Sequence, residues 1–220
     1  MFSKTIAVLV ILAVAAVPAA MAQAAGGEMT VEMMVIRENS HSSVREQNLF
    51  ALSHIDGAIG RGNTGDEIYA ALERLVLTGT QNRVVARGRV TNNFPDVRQE
   101  AARQLGELGT EEARAIILRA SIAETEPMVL QEMIAVLGNF ALEDNVPTIS
   151  AIVRVAGRMH RSPSPNNHVA LAAVNALESI AERDGGLTYA DAFWYLFAVA
   201  EGPYVFAVRE RAWEVIDGLR

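Results

Sequence analysis

Apolar residues recur along most of this chain at helical spacing. In "PDVRQEAARQLGEL", with Val97 as origin, Ala101, Ala102, Leu105 and Leu108 follow at +4, +5, +8 and +11. That is the stripe one face of an α-helix buries. Pro95 suits the first helical turn, where its missing N–H has no partner to lose, and Gly109 suits the stop. Gln104 falls off the stripe and is expected on the outer face. The frame returns as Val129, Met133, Ile134, Leu137 and Phe140, and then as Val169, Ala173, Val174, Leu177 and Ile180. Val208, Ala212, Trp213, Ile216 and Leu219 repeat it, and "VREQNLFALSHI" (Val44 to Ile55) is a weaker copy. Two copies are nearly literal: "PDVRQEAARQLGEL" and "PMVLQEMIAVLGNF" share proline, valine, Gln-Glu, leucine and glycine at six matching offsets.

Other apolar-periodic segments lie between these copies: "GDEIYAALERLVLTG", "EEARAIILRASIAE", "DNVPTISAIVRVAGRMH" and "LTYADAFWYLFAVAE". The chain therefore alternates two kinds of helix joined mostly by short turns, and the expected fold class is all-α. Only "MTVEMMVI" at 29–36 hints at the period-two alternation of a strand. One helical pair of this size cannot bury both of its apolar faces, so neighbouring pairs must stack.

"EEARAIILRASIAETEPMVLQEMIAVLG" resembles a HEAT repeat: a first helix, a short acidic turn, and a second helix opening Pro-x-Val. "PDVRQEAARQLGELG" resembles the second helix of such a repeat more closely still, through Asp96-Val97-Arg98, and "VRERAWEVIDGL" keeps Val208-Arg209. The resemblance covers about residues 65–220 and extends back to Val44. It departs from the pattern at Leu130 and Ala170, where the arginine is missing, so an arginine ladder would be interrupted. It implies a right-handed α-solenoid of four to five repeats over 44–220. The function it implies is that of a non-catalytic scaffold or adaptor that binds another protein. Some HEAT-like enzymes hold iron with His-Glu pairs. No His-Glu dipeptide occurs here; of His41, His54, His160 and His168 only the last two are near each other, and no acidic residue adjoins either. No metal or cofactor is expected.

In the stacked frame, offsets +2, +3 and +6 of the second helices reach the free surface. Gln99, Glu100, Arg103, Gln131, Glu132, Asn175, Arg211 and Glu214 are accordingly the candidate partner-binding residues, together with the apolar Ala135, Leu171 and Ala172. Arginine is enriched at interface hot spots, which singles out Arg103 and Arg211. Two insertions break the repeat. Residues 79–94 exceed an ordinary inter-helix turn, and loops of that length are commonly functional or disordered. Arg83, Arg87 and Arg89 in it offer a second kind of site, for a small anionic ligand, because guanidinium groups pair readily with carboxylate or phosphate. "RMHRSPSPNN" supplies the other insertion, at 161–167, where two Ser-Pro steps disfavour helix. Arg154, Arg158 and Arg161 fall on one helix face, which reads first as a solvated face bridging to neighbouring glutamates and second as an anion clamp. Eight of the thirteen aromatic residues lie between Tyr189 and Trp213, a density expected of bulky packing where the repeats end.

Charge narrows the partners. The net formal charge is −7, which opposes nonspecific nucleic-acid binding. Lys4 is the sole lysine and cysteine is absent, excluding lysine-based chemistry, thiol catalysis and disulfides. "GRGNTG" (60–65) matches Gly-x-Gly-x-x-Gly, but a helical pattern precedes it and Asp66-Glu67 follow where a bound phosphate would sit. Those acids suit a helix N-terminus without a ligand. No Gly-x-Ser-x-Gly or similar constellation points to catalysis. At the start, Lys4, the apolar run 5–17 and Ala20-Met21-Ala22 predict a signal peptide over 1–22, cleaved before Gln23. The expected destination is the periplasm or the medium, and 23–43 reads as a partly disordered lead into the repeats.

Overall fold

The computed structural model describes residues 30–187 and 189–219, so the expected signal segment 1–22 lies outside them. The described chain is all-α apart from one small ribbon. Its helices are α1 (Val31–Ser40), α2 (Arg45–Gly60), α3 (Asp66–Val76), α4 (Pro95–Leu108), α5 (Glu111–Ala123), α6 (Pro127–Asn139), α7 (Val146–His160), α8 (Asn167–Asp184), α9 (Ala190–Ala200) and α10 (Phe206–Gly218). Two short strands, β1 (Val85–Ala86) and β2 (Arg89–Val90), lie between α3 and α4.

Among the described residues, each helix packs against the next helix and the next but one, and against none further along the chain. The odd-numbered helices therefore form one row and the even-numbered helices a second, with the core between them. The repeated stripe supplies that core: Val97, Leu105, Val129, Leu137, Val169, Leu177, Val208 and Ile216 are all buried. Leu108, Trp213 and Leu219, the outlying members of the frame, are only half-buried.

The glycine shared by the two near-literal copies has a packing reason. A Cβ on Gly138 of α6 would lie 2.6 Å from the Ala176 Cα of α8, and one on Gly106 of α4 would lie 2.8 Å from the Val136 Cγ1 of α6. Only hydrogen in place of a side chain lets successive even helices approach this closely. Gly109, by contrast, ends α4 in the left-handed region at φ 62°, as a helix stop requires.

Several expectations change. In its described part, 30–36, the stretch that hints at alternation is not a strand: helix runs from Val31, and Met33 and Ile36 are buried where α1 meets α2 and α3. Of the lead segment 23–43, residues 31–40 form this helix, and 23–29 lie outside the described residues. Gln104 is not on an outer face but 1% exposed, its Nε2 donating to the Leu52 carbonyl (3.1 Å) and to Glu100 Oε1 (2.9 Å). Helix α4 has even neighbours on two sides, α2 and α6, so its buried arc is wider than a single stripe. The aromatic end divides in two. Tyr195 and Tyr204 are buried, whereas Phe193, Trp194, Phe197 and Phe206 stand exposed, Trp194 by 68%.

The insertion at 79–94 is an ordered β-hairpin. Val85 pairs with Val90 and Ala86 with Arg89. The intervening Arg87 and Gly88 take φ 50° and 76°, the positive values that a tight two-residue hairpin turn needs at both central positions. At its base, Asn92 is buried, accepting from the Val84 N–H (2.8 Å) and donating to the Asn82 carbonyl (2.8 Å).

Candidate binding surface

Two places gather the residues singled out above: the outer surface of the even row and the hairpin. On the even row, a groove of about 300 Å³ runs between α6 and α8. Gln131, Ala135 and Asn139 form one wall, each four residues beyond the last, so each is one helical turn further along the same side. His168, Leu171, Ala172, Asn175 and Ser179 on α8 face them. Small side chains (Ala135, Ala172, Ala176) among the lining residues leave the space open, and the close approach at Gly138 brings the two helices together beside it. At about 1.5 Å per residue the α6 wall is roughly 12 Å long. Of the predicted set, Gln131 and Asn175 line this groove together with Ala135, Leu171 and Ala172.

The other predicted residues lie beside it, tied into hydrogen bonds and ion pairs within the chain. Gln99 of α4 reaches Glu132 of α6 (3.5 Å). Arg103 is bonded to Glu100 (Nε to Oε2, 2.9 Å) and to Glu107, with Asp56 of α2 at 3.9 Å. The hydrogen bond from Arg103 holds the Glu100 carboxyl below its ordinary range, against the upward pull of partial burial. The Gln104 amide and the charge of Arg103 assist. Arg211 of α10 is bonded to Glu178 of α8, to Glu214 (3.0 Å) and to the Asn175 Oδ1 (3.3 Å). Both proposed hot-spot arginines are therefore occupied within the chain, and five carboxylates (Asp56, Glu100, Glu107, Glu178, Glu214) surround the two guanidiniums.

The arginines elsewhere have different fates, none of them a ladder. Arg45 pairs with Asp96. Arg209 donates to the Ala200 carbonyl at the end of α9 (3.1 Å). Arg98 is 1% exposed and forms a two-point pair with Glu124, also 1% exposed, at 2.6 and 3.2 Å. Its Nη1 donates to the Thr78 carbonyl (3.1 Å) and Asn93 Oδ1 (2.8 Å), fastening both legs of the hairpin to α4. Glu124 in turn accepts the N–H groups of Thr125 (2.8 Å) and Glu126 (2.9 Å). Sequence reading missed this pair, whose partners stand twenty-six residues apart. Arg158 does not bridge to glutamates: it donates to the carbonyls of Ile122 (3.0 Å) and Glu124 (2.6 Å), closing the end of α5. Arg154 and Arg161 are exposed.

On the hairpin, Arg83, Arg87 and Arg89 are all exposed. Arg83 Nε donates to the Thr80 carbonyl (2.6 Å), and the side chains of Arg87 and Arg89 make no hydrogen bond or ion pair among the described residues. Also among those residues, no group of three His, Asp or Glu side chains is arranged to hold a metal ion, and no helix is long and apolar enough to cross a membrane. Set against known proteins, the chain matches no family model, no curated protein and no solved structure.

Proposed function

We propose that this chain is a HEAT-like α-solenoid of five helical pairs (α1–α2 through α9–α10), exported to the periplasm or the medium, acting as a non-catalytic scaffold or adaptor. Its partner is another protein, held on the outer surface of the even helices. The contact pattern supports the architecture, since a stack in which each unit touches only its neighbours is what defines a solenoid. The observation that carries the function is the α6–α8 groove, which coincides with the surface offsets of the repeat. The close approaches at Gly106 and Gly138 lie within the even row, and tighter packing on one side bends a stack toward that side, so in this reading the even-row surface is the inner one. Extended inner surfaces are where solenoids hold polypeptides.

The test is photo-crosslinking in cells of the source organism, with p-benzoylphenylalanine placed at Gln131 or Asn175 and, as reference, at Arg154 on the odd row. A discrete protein adduct is expected from the groove positions and lost on Ala172→Trp, which fills the groove. Adducts from Arg154 alone would overturn the reading. A second reading, an anion-binding module, rests on the exposure of Arg83, Arg87 and Arg89. A phosphate-dependent rise in melting temperature that disappears in Arg87→Glu with Arg89→Glu would favour it.

A further inference from the structure

The hairpin is more ordered and more exposed than the helix connection requires. Every residue from Gln81 to Thr91 is exposed, yet the base is fixed by Asn92, by the buried Arg98–Glu124 pair, and by Gln81 Nε2 donating to the Arg119 carbonyl (3.1 Å). A Cβ on Gly79 would lie 2.6 Å from both the Asn92 carbonyl oxygen and the Asn93 Cα, so the two legs touch directly. The result is a tip without packing partners held on a rigid stem.

The chemistry of the tip is one-sided. From Arg74 to Pro95 the chain has four arginines and no carboxylate, in a protein of net charge −7. Interleaved with Arg83, Arg87 and Arg89 are three exposed valines: Val85 (61%), Val84 (44%) and Val90 (37%). Val85 and Val90 are cross-strand partners and so share one face of the ribbon. At the stem the pattern continues through exposed Ile122 on α5, whose carbonyl Arg158 holds, and through Arg119, paired with Glu73 at 2.5 Å.

We propose that this hairpin docks the protein on an anionic lipid surface, its arginines meeting headgroup phosphates and its valines entering the interface. A single soluble anion explains less. Arg83 stands at the base of the first leg and Arg87 in the turn at its far end, up to roughly 13 Å away at ~3.3 Å per extended residue, a spacing that spreads the charge over a plane of phosphates more than it converges on one. Nor does a soluble anion account for the valines, which gain by leaving water for the acyl boundary. Each arginine brought to such a surface is worth roughly fivefold in partitioning. The groove on the even row is separate from the hairpin, so the protein partner proposed above can be absent and this proposal still hold.

The experiment is vesicle co-sedimentation of the full chain, using phosphatidylcholine vesicles with and without phosphatidylglycerol. The uncharged apolar run at 5–17, preceded by Lys4, is common to all variants, so the readout is the difference between vesicle types. Binding is expected to be tenfold or more stronger to the anionic vesicles, with that preference lost in Arg87→Glu with Arg89→Glu. Val85→Ser with Val90→Ser should lower binding several-fold while keeping the preference. Gln131→Ala with Asn175→Ala, on the groove, should change nothing. Unchanged melting temperatures in the tip variants would show that the fold is intact. Equal binding to both vesicle types, or a preference that survives the double arginine reversal, overturns the proposal. So does a valine pair that can be replaced without effect, which would assign the tip to soluble anions.

Discussion

The even-row surface and the hairpin both display arginine beside glutamine, asparagine and small apolar groups, yet they differ in what is available to a ligand. Arg103 and Arg211 are each held by two carboxylates of their own chain. Arg87 and Arg89 are held by none. The difference arises from secondary structure. On a helix, residues three and four apart are neighbours, and side-by-side helices bring further charges within reach, so Glu100, Glu107, Glu178 and Glu214 find their arginines without effort. A projecting two-stranded ribbon has no such neighbours. Arginine count is therefore a poor guide to binding, and arginine surroundings a better one.

The sharpest way to separate stem from tip is to remove Arg98. Arg98→Ala leaves the Glu124 carboxylate buried without its cation and frees the Thr78 carbonyl and Asn93. Breaking a buried pair from one side costs about 3–5 kcal/mol. Chemical denaturation of Arg98→Ala should show a loss of that size. Arg87→Glu with Arg89→Glu, a larger change in net charge, should stay within about 0.5 kcal/mol of wild type because nothing packs on the tip. Similar losses for the two variants would mean that the hairpin is one packed unit and not a stem with a free tip.

A smaller effect tests the even row. Leu137→Ala deletes a side chain 1% exposed and should cost about 2–5 kcal/mol through lost transfer energy and a cavity. Gln104→Ala removes the donor to the buried Leu52 carbonyl and should cost about 1–3 kcal/mol. The repeat frame alone assigns Gln104 no cost. A negligible change for Gln104→Ala would restore the single-stripe picture of α4 and contradict the two-sided burial seen here.

Gln104 also shows where sequence reading reaches its limit. Every valine that opens a copy of the frame from Val97 to Val208 is buried, because that position faces the opposite row whatever the neighbours are. A position such as Gln104 faces sideways, along its own row, and its fate depends on how closely the adjacent helix approaches. For Gln104 the helix that closes in is α2, through Leu52; along the rest of the row Gly106 and Gly138 set the approach, and their role becomes apparent only when Val136 and Ala176 are seen against them. The hairpin was hidden for a related reason. Its strands are two residues each, too short for any alternation to register, and its order comes from Asn92, Gly79 and Arg98, contacts across the base and not a local propensity. For the groove, the offsets placed Gln131 and Asn175 correctly on the surface, but they could not reveal that Arg103 and Arg211 were already engaged.

The smallest expected effect concerns that engagement. Glu100 titrates below its ordinary value in the folded chain because Arg103 donates to it, so its ionised form is favoured by folding. A carboxylate depressed in this way contributes stability above its unfolded pKa, near the ordinary value of 4.5, and the contribution disappears as pH falls through the folded value. Both partners are partly solvated, at 42% and 35% side-chain exposure, so screening keeps the contribution near the ~0.2–1 kcal/mol of exposed pairs. Arg103→Gln should therefore be less stable than wild type by about that amount at neutral pH. The gap should close in acid well below pH 4.5, where Glu100 is protonated in both proteins. Urea midpoints measured at neutral and strongly acidic pH would read it. A gap of constant size across that range would mean that Arg103 contributes by packing along α4 and not by holding carboxylates, and would leave its charge as available to a ligand as those of Arg87 and Arg89.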